Sequence, residues 1–379
     1  MSITPEERNI KAKQYVENLY ASISHLTIVD FSSHPLFEQA DSILQNIVHT
    51  KIIAKGFRGI VLTAIVGKHL NSSYDFLNRF YDCSPRAIFE NGIFLALRDL
   101  KIPCGKSDPL NVAKNTNVLN MDWAEGKRPQ RAAEAVVNYL HLLDNHFNQK
   151  DNYNFLVNFF MFRLKELADI YVSSVVTTVT TDTESQQELA IKLWSFVSQA
   201  VEGGTIPQFF IGTLLETIYL YDPNTIVSGT KESVSGTNTT SQKPGDIVIT
   251  KNDVISNIFE VTLKVVDTKR LSDSYDVLAE QGYLDTPITF LCRIPQDTAS
   301  LSEVTYSPKM VSGFTKEQDH LFNFVDIESF ICSQISVLNK AQITYLLANL
   351  TEFISEYDRP LKTREIWNTH FPTEVIDNQ

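Results

Sequence analysis

Two acids and a lysine on short β-type runs could do hydrolytic chemistry together. Asp246 opens the run Asp246-Ile-Val-Ile-Thr250, and Glu260 and Lys264 lie on Phe259-Glu-Val-Thr-Leu-Lys264. Side chains alternate between the two faces of a strand. The pattern therefore predicts Glu260, Thr262 and Lys264 on one face, with Phe259, Val261 and Leu263 turned to the core. Two neighbouring strands can bring Asp246 and Glu260 to a single ion. Carboxylates are the natural ligands of Mg²⁺, which neutralises a phosphate and lowers the pKa of an attacking water. A lysine beside such an ion can orient or deprotonate the nucleophile and stabilise developing charge. Asp246, Glu260 and Lys264 thus supply each part needed for phosphodiester hydrolysis, with Asp246 and Glu260 as the metal ligands.

Other residues join this set with two readings each. Glu216, on a helix before the strands, is a further acid for the site or a surface helix acid. Lys269 and Arg270 follow the long strand and would hold a phosphate or stand as solvated charges at a helix start. The stretch 101–131 holds six Lys or Arg (Lys101, Lys106, Lys114, Lys127, Arg128, Arg131) against three acids (Asp108, Asp122, Glu125). This basic region is a DNA-binding candidate through Lys106, Lys114, Lys127 and Arg128, or a solvated loop.

Elements must position these groups. Residues 6–24 carry Ile10, Tyr15, Leu19 and Tyr20 in a helical stripe after Pro5. Helices follow at 36–54 and 57–70, and Ser84-Pro85 starts another, with proline at its first position. The Gly-, Pro-, Asn- and Lys-rich 101–131 reads as loop with short helical pieces. Helices are predicted over 131–147, 152–172, 184–202 and 206–220. Residues 228–243 form a polar Ser/Thr/Gly loop. Strands are predicted from Asp246, across 258–266 and from Pro287 to Arg293, with a helix over 270–281 between the last two. Residues 326–356 return to helix.

Composition limits the function classes. The chain has 379 residues, 43% hydrophobic and 21% charged, which is ordinary for a globular protein. No apolar run of about 18 residues appears, so no membrane span is expected, and the first residues show no signal-peptide pattern. Cys83, Cys104, Cys292 and Cys332 are scattered without a CxxC pair, which speaks against a zinc site and suits a cytoplasmic location. A net charge of −12 argues against a nucleic-acid coat protein. Gly105-Lys106-Ser107 lacks the glycine five residues earlier that a phosphate-binding P-loop needs, because Leu100 stands there. The eight histidines show no HxH or HExxH spacing. The cluster Tyr153, Phe155, Phe159, Phe160 and Phe162 reads as core.

The acid and lysine set resembles the signature of the PD-(D/E)xK nuclease superfamily. The match has an extra Gly245 in Pro244-Gly245-Asp246, and Thr262 stands where the lysine would be. Lys264 comes one strand repeat later, about 6–7 Å along the strand. The run 243–278 resembles the catalytic segment of SacI-like type II restriction endonucleases, which similarly carry Pro-Gly-Asp and then Glu-Val-x-x-Lys. Three N-terminal runs resemble the same family: Arg58-Gly-Ile-Val-Leu-Thr-Ala64, Tyr81-Asp-Cys-Ser-Pro-Arg86 and Ile102-Pro-Cys-Gly-Lys-Ser-Asp-Pro-Leu-Asn-Val-Ala-Lys114.

The resemblance implies an α/β fold with a mixed-sheet nuclease core, a large helical N-terminal region and C-terminal helices. In this reading 1–150 is helical with a DNA-recognition role, 151–300 leads into the core, and 301–379 is a helical extension. It implies Mg²⁺-dependent cleavage of double-stranded DNA by a homodimer within a restriction-modification system. The alternatives are a DNA-binding or defence-associated protein that has lost cleavage, and a helical scaffold that leaves the paired acids without a purpose.

Overall fold

The computed structural model describes residues 4–48, 55–179, 185–231, 244–286, 288–301, 312–317 and 320–372. The chain forms two compact units, one of residues 1–175 with 357–361, the other of 176–356 with 362–379. The division falls at 175/176, not at 150 and 300. The reason is packing: Phe155, Phe159 and Phe162 belong to the N-terminal core, and the C-terminal helices bury their apolar faces with the sheet's.

The first unit is helical. Its helices are α1 (Pro5–Ile23), α2 (Ile28–Ser32), α3 (Phe37–Val48), α4 (Lys55–Leu70), α5 (Pro85–Ile88), α6 (Phe94–Asp99), α7 (Asp108–Val112), α8 (Met121–Glu125), α9 (Gln130–His146) and α10 (Lys150–Ser173). Thr4 and Glu7 form a capping box and Pro5 opens α1, which satisfies amides that the first turn leaves unpaired. Helix α4 is buried on all sides from Gly56 to Lys68, so it is the axis of this core. The sequence 101–131 contains α7 and α8 as its short helical pieces. Gly59 lets α7 approach α4 closely, since a Cβ there would lie 2.1 Å from Pro109 Cγ.

The second unit is mixed α/β. It contains α11 (Gln186–Gln199), α12 (Thr205–Ile218), β1 (Thr225–Ser228), β2 (Ile247–Lys251), β3 (Val254–Val261), α13 (Thr268–Gln281), β4 (Ile288–Cys292), β5 (Ser312–Glu317), β6 (His320–Asp326), α14 (Ile327–Ile335), α15 (Lys340–Ser355) and, mostly, α16 (Leu361–His370). The six strands form one sheet in the order β1-β2-β3-β4-β6-β5. β1, β2 and β3 are antiparallel, β4 is parallel to β3 and β6, and β5 returns antiparallel to β6. Parallel neighbours need a crossover, and α13 provides it between β3 and β4.

Both faces of the sheet are covered. Ile247, Ile249, Phe259, Val261 and Leu291 pack with apolar residues of α11, α12, α14 and α15 and with Trp367 of α16. Ile258, Ile288, Phe290, Phe322 and Phe324 pack on the other side with Leu271 and Leu278 of α13. The β2–β3 hairpin turns through Asn252 and Asp253, both at positive φ (48° and 62°), a conformation these residue types accept in two-residue turns. Its register then changes by one residue between Ile249 and Thr250. Ser256 is the extra residue, and its hydroxyl donates to Ile249 O at 3.2 Å.

Three expectations change. The long strand ends at Val261 instead of continuing to 266. The helix over 326–356 is two, α14 and α15, because Asn339 starts the second with a capping box to Gln342. β1 stands where no element was read, and β5 and β6 are strands inside 301–379, which was expected to be a helical extension and to which α16 does belong. Most of the 228–243 loop lies outside the described residues. Among the described residues no helix is long and apolar enough to cross a membrane.

Candidate active site

The site grows from the register of β2 against β3. Ile247 pairs with Phe259 and Val248 with Ile258. One step further, Asp246 stands opposite Glu260. Cross-strand partners share a face with Cβ atoms about 4.5–5.5 Å apart. The two carboxyl groups are hydrogen-bonded to each other, and Asp246 Oδ2 also accepts the Val261 amide at 2.9 Å. Glu260 is 4% exposed. Burial pushes the Asp246 carboxyl above the ordinary carboxylate range. The Val261 amide, the Arg270 charge and the bond to Glu260 oppose that rise.

Glycines make this approach possible. Gly229 (φ +103°) crosses the start of β2 so closely that a Cβ would lie 2.0 Å from Asp246 O. A Cβ at Gly245 would lie 2.6 Å from Ile258 Cγ2 and 3.6 Å from Glu260 Oε1. The corner at Gly229 is seated on α12. Gln208 Nε2 donates to Gly229 O at 2.8 Å, and Thr230 Oγ1 donates to Glu216 Oε1 at 2.6 Å. Glu216 therefore engages the corner that carries Asp246, through Thr230.

Arg270 is a cation in contact with Glu260. Its Nη2 donates to Glu260 Oε2 at 3.1 Å and its Nη1 to Thr262 Oγ1 at 3.0 Å. The guanidinium lies 5.8 Å from the centroid of the Phe290 ring, and Phe290 is the β4 partner of Glu260. Asp267 caps α13 by accepting the Arg270 amide at 2.9 Å, which places Arg270 in the first turn beside the end of β3.

The shared strand face expected for Glu260, Thr262 and Lys264 does not form. The Thr262 amide still donates to Leu291 O at 3.0 Å, and the chain then bends away. Arg293, paired with the buried Asp297, donates from Nη2 to Leu263 O at 2.6 Å. Val266 N donates to Asp297 O at 2.8 Å. These bonds fix the bend, and Lys264 is exposed on it. Lys269 is exposed as well.

In the first unit Lys106, Lys114 and Arg128 are exposed. Lys127 is half-buried, with Nζ 5.6 Å from the centre of the Trp123 ring. Arg128 Nη1 turns back to Glu125 O and Lys127 O, at 3.2 and 2.7 Å.

The donors fit a small divalent cation in kind. Two hard carboxyl groups converge, and Mg²⁺ is commonly held by one or two carboxylates with water and substrate phosphate completing its shell. Among the described residues no group of three or more His, Cys, Asp or Glu side chains suits a metal. Water and phosphate oxygens would complete the shell around the pair. The sequence reading missed that Arg270 contacts both Glu260 and Thr262. The signal was Asp267, an N-cap residue three positions before it. Compared with known proteins, the chain matches no family model and no curated protein.

Proposed function

We propose that this protein is a Mg²⁺-dependent endonuclease of the type II restriction kind that cuts double-stranded DNA. The observation that carries the reading is the Asp246–Glu260 pair, brought together by strand register on a mixed sheet with Arg270 against it. A mixed sheet holding the Asp on one strand and the Glu on the next is what the PD-(D/E)xK resemblance asks for. The SacI-like resemblance of 243–278 supports the restriction class.

In this reading Asp246 and Glu260 hold the ion. A bound Mg²⁺ supplies positive charge to the phosphate and makes water a better nucleophile at neutral pH. Arg270 meets the phosphate and stabilises charge that develops on it. Arginine stays protonated at working pH and so cannot act as the base. Thr262 positions the guanidinium through its hydroxyl. Lys264, exposed on its bend, is the weaker candidate for this cation role. Lys106 and Lys114 contact DNA phosphates, and the protein acts as a cytoplasmic homodimer because a two-fold site calls for a two-fold enzyme.

A second reading is a DNA-binding or defence-associated protein without cleavage, and the departure of Lys264 from the strand favours it. Incubation of supercoiled plasmid with the protein, with and without Mg²⁺, separates the two. Discrete linear fragments that require Mg²⁺ and vanish with Asp246→Ala support the nuclease. Unchanged plasmid, together with duplex binding in Ca²⁺, supports the second reading.

A further inference from the structure

We infer that Arg270 gates the carboxyl pair: it holds Glu260 until a phosphodiester draws the guanidinium away, so cation and DNA bind with positive coupling. This rests on the nuclease reading for its anion, though the gate itself is a property of the side chains.

The contacts set up a competition. Glu260 Oε2, one of the oxygens a cation needs, is engaged by Arg270 Nη2 at 3.1 Å. The Glu260 side chain is 5% exposed and that of Arg270 31%. The more exposed partner is therefore the guanidinium, and an anion arriving from solvent meets it before it meets the acid. Arg270 is anchored at its backbone by the Asp267 cap, and its guanidinium lies 5.8 Å from the centroid of the Phe290 ring, within the range at which the ring face attracts a cation. Guanidinium binds phosphate and carboxylate through the same fork of donors, so a phosphate oxygen replaces Glu260 without loss of bonding. Glu260, no longer engaged by Arg270 and beside Asp246, then takes the cation. The arriving phosphate also supplies a ligand that two carboxylates leave unfilled.

The gate makes an ordered prediction. Without DNA, removal of the Arg270 charge strengthens cation binding, because a positive charge no longer competes at a few ångströms. With DNA, the same change removes the coupling. Linkage requires that DNA tighten the cation by the factor with which the cation tightens DNA.

The test uses the full chain. Mn²⁺ alone is titrated calorimetrically into the native protein, Arg270→Gln and Arg270→Lys, with melting curves to establish that each variant folds. The affinity of a labelled duplex is then measured by anisotropy at constant ionic strength, with and without Ca²⁺. The expected result is Mn²⁺ binding to Arg270→Gln at least about tenfold tighter than to the native protein. Arg270→Lys, which keeps the charge, should stay near native. Ca²⁺ should tighten the duplex in the native protein and do so much less in Arg270→Gln.

Equal or weaker Mn²⁺ binding by Arg270→Gln overturns the gate and leaves the nuclease reading standing. Gated Mn²⁺ binding without any plasmid cleavage supports the gate and overturns the nuclease reading. If no form binds Mn²⁺, both fall.

Discussion

Gly229→Ala is the sharpest test of how the acid pair is built. Gly229 has no side chain to offer a metal, yet its backbone crosses Asp246 so closely that a Cβ would meet Asp246 O at 2.0 Å. Its φ of +103° is one that L side chains rarely adopt. Holding alanine there costs about 1–3 kcal/mol, and overpacking against backbone, which cannot rotate aside, costs about 1–3 kcal/mol more. The total of about 2–6 kcal/mol should lower the melting temperature of a unit of this size by roughly 5–20 °C. Because the strain discharges into Asp246, Mn²⁺ affinity should fall as well. Gly203→Ala separates the two costs: Gly203 has φ +70° and nothing within 4 Å of the place a methyl group would take, so it carries strain of about 1–2 kcal/mol without a clash. Differential scanning calorimetry of the three proteins, with Mn²⁺ titrations alongside, gives the answer. If Gly229→Ala melts within about 2 °C of native and binds Mn²⁺ unchanged, the close crossing does not position Asp246.

Three further outcomes are expected. Asp246→Asn should abolish cleavage yet stabilise the fold at neutral pH. The burial-raised pKa means that the native state holds its proton more tightly than the unfolded chain, so this contribution is present at low pH and is lost as pH rises through the raised value; melts at pH 4 and pH 7 should show the gap between variant and native widening with pH. Arg270→Ala should slow plasmid cleavage by at least about 10²-fold, as loss of a group stabilising transition-state charge does, whereas Lys264→Ala should cost less than about tenfold; the reverse order would return the role to the lysine. Replacing Lys106 and Lys114 by alanine should weaken binding to any duplex and flatten the salt dependence by roughly 0.9 per lost contact, while an unchanged slope would mark the region as solvated loop.

Much of this architecture was written locally. Residues 5–23 announce α1 by Thr4, Pro5 and Glu7, and the apolar spacing of Leu271 and Leu278 marks α13. The pairing of Asp246 with Glu260 was readable as two acids on consecutive strands. β6 carried a period-two signal, with Phe322 and Phe324 buried and Leu321 about half exposed, that the sequence reading passed over. The end of β3 was not readable. It depends on Arg293, thirty residues onward, reaching the Leu263 carbonyl, and no local preference encodes that bond. The engagement of Glu260 by Arg270 lies between these cases. The Asp267 cap was visible, but the choice between Lys264 and Arg270 needed the bend.

The extra residue in β3 has a bearing on which changes this hairpin can absorb. Counting back from the Asn252–Asp253 turn, the strands would fall one residue out of step with the pairing seen at Asp246, and Ser256 makes up the difference. Loss of Ser256 itself would remove the bulge and leave Asp246 opposite Glu260, whereas loss or gain of a single residue with the bulge kept would shift the frame, and Glu260 would face the helices that pack on Phe259. Loss or gain of two would keep the frame. The exposed tip of the hairpin, where Val254 is 67% exposed, thus behaves like a reading frame for a pair of acids at its far end. Substitutions there are cheap, whereas a one-residue change of length that leaves the bulge in place turns Glu260 away from Asp246.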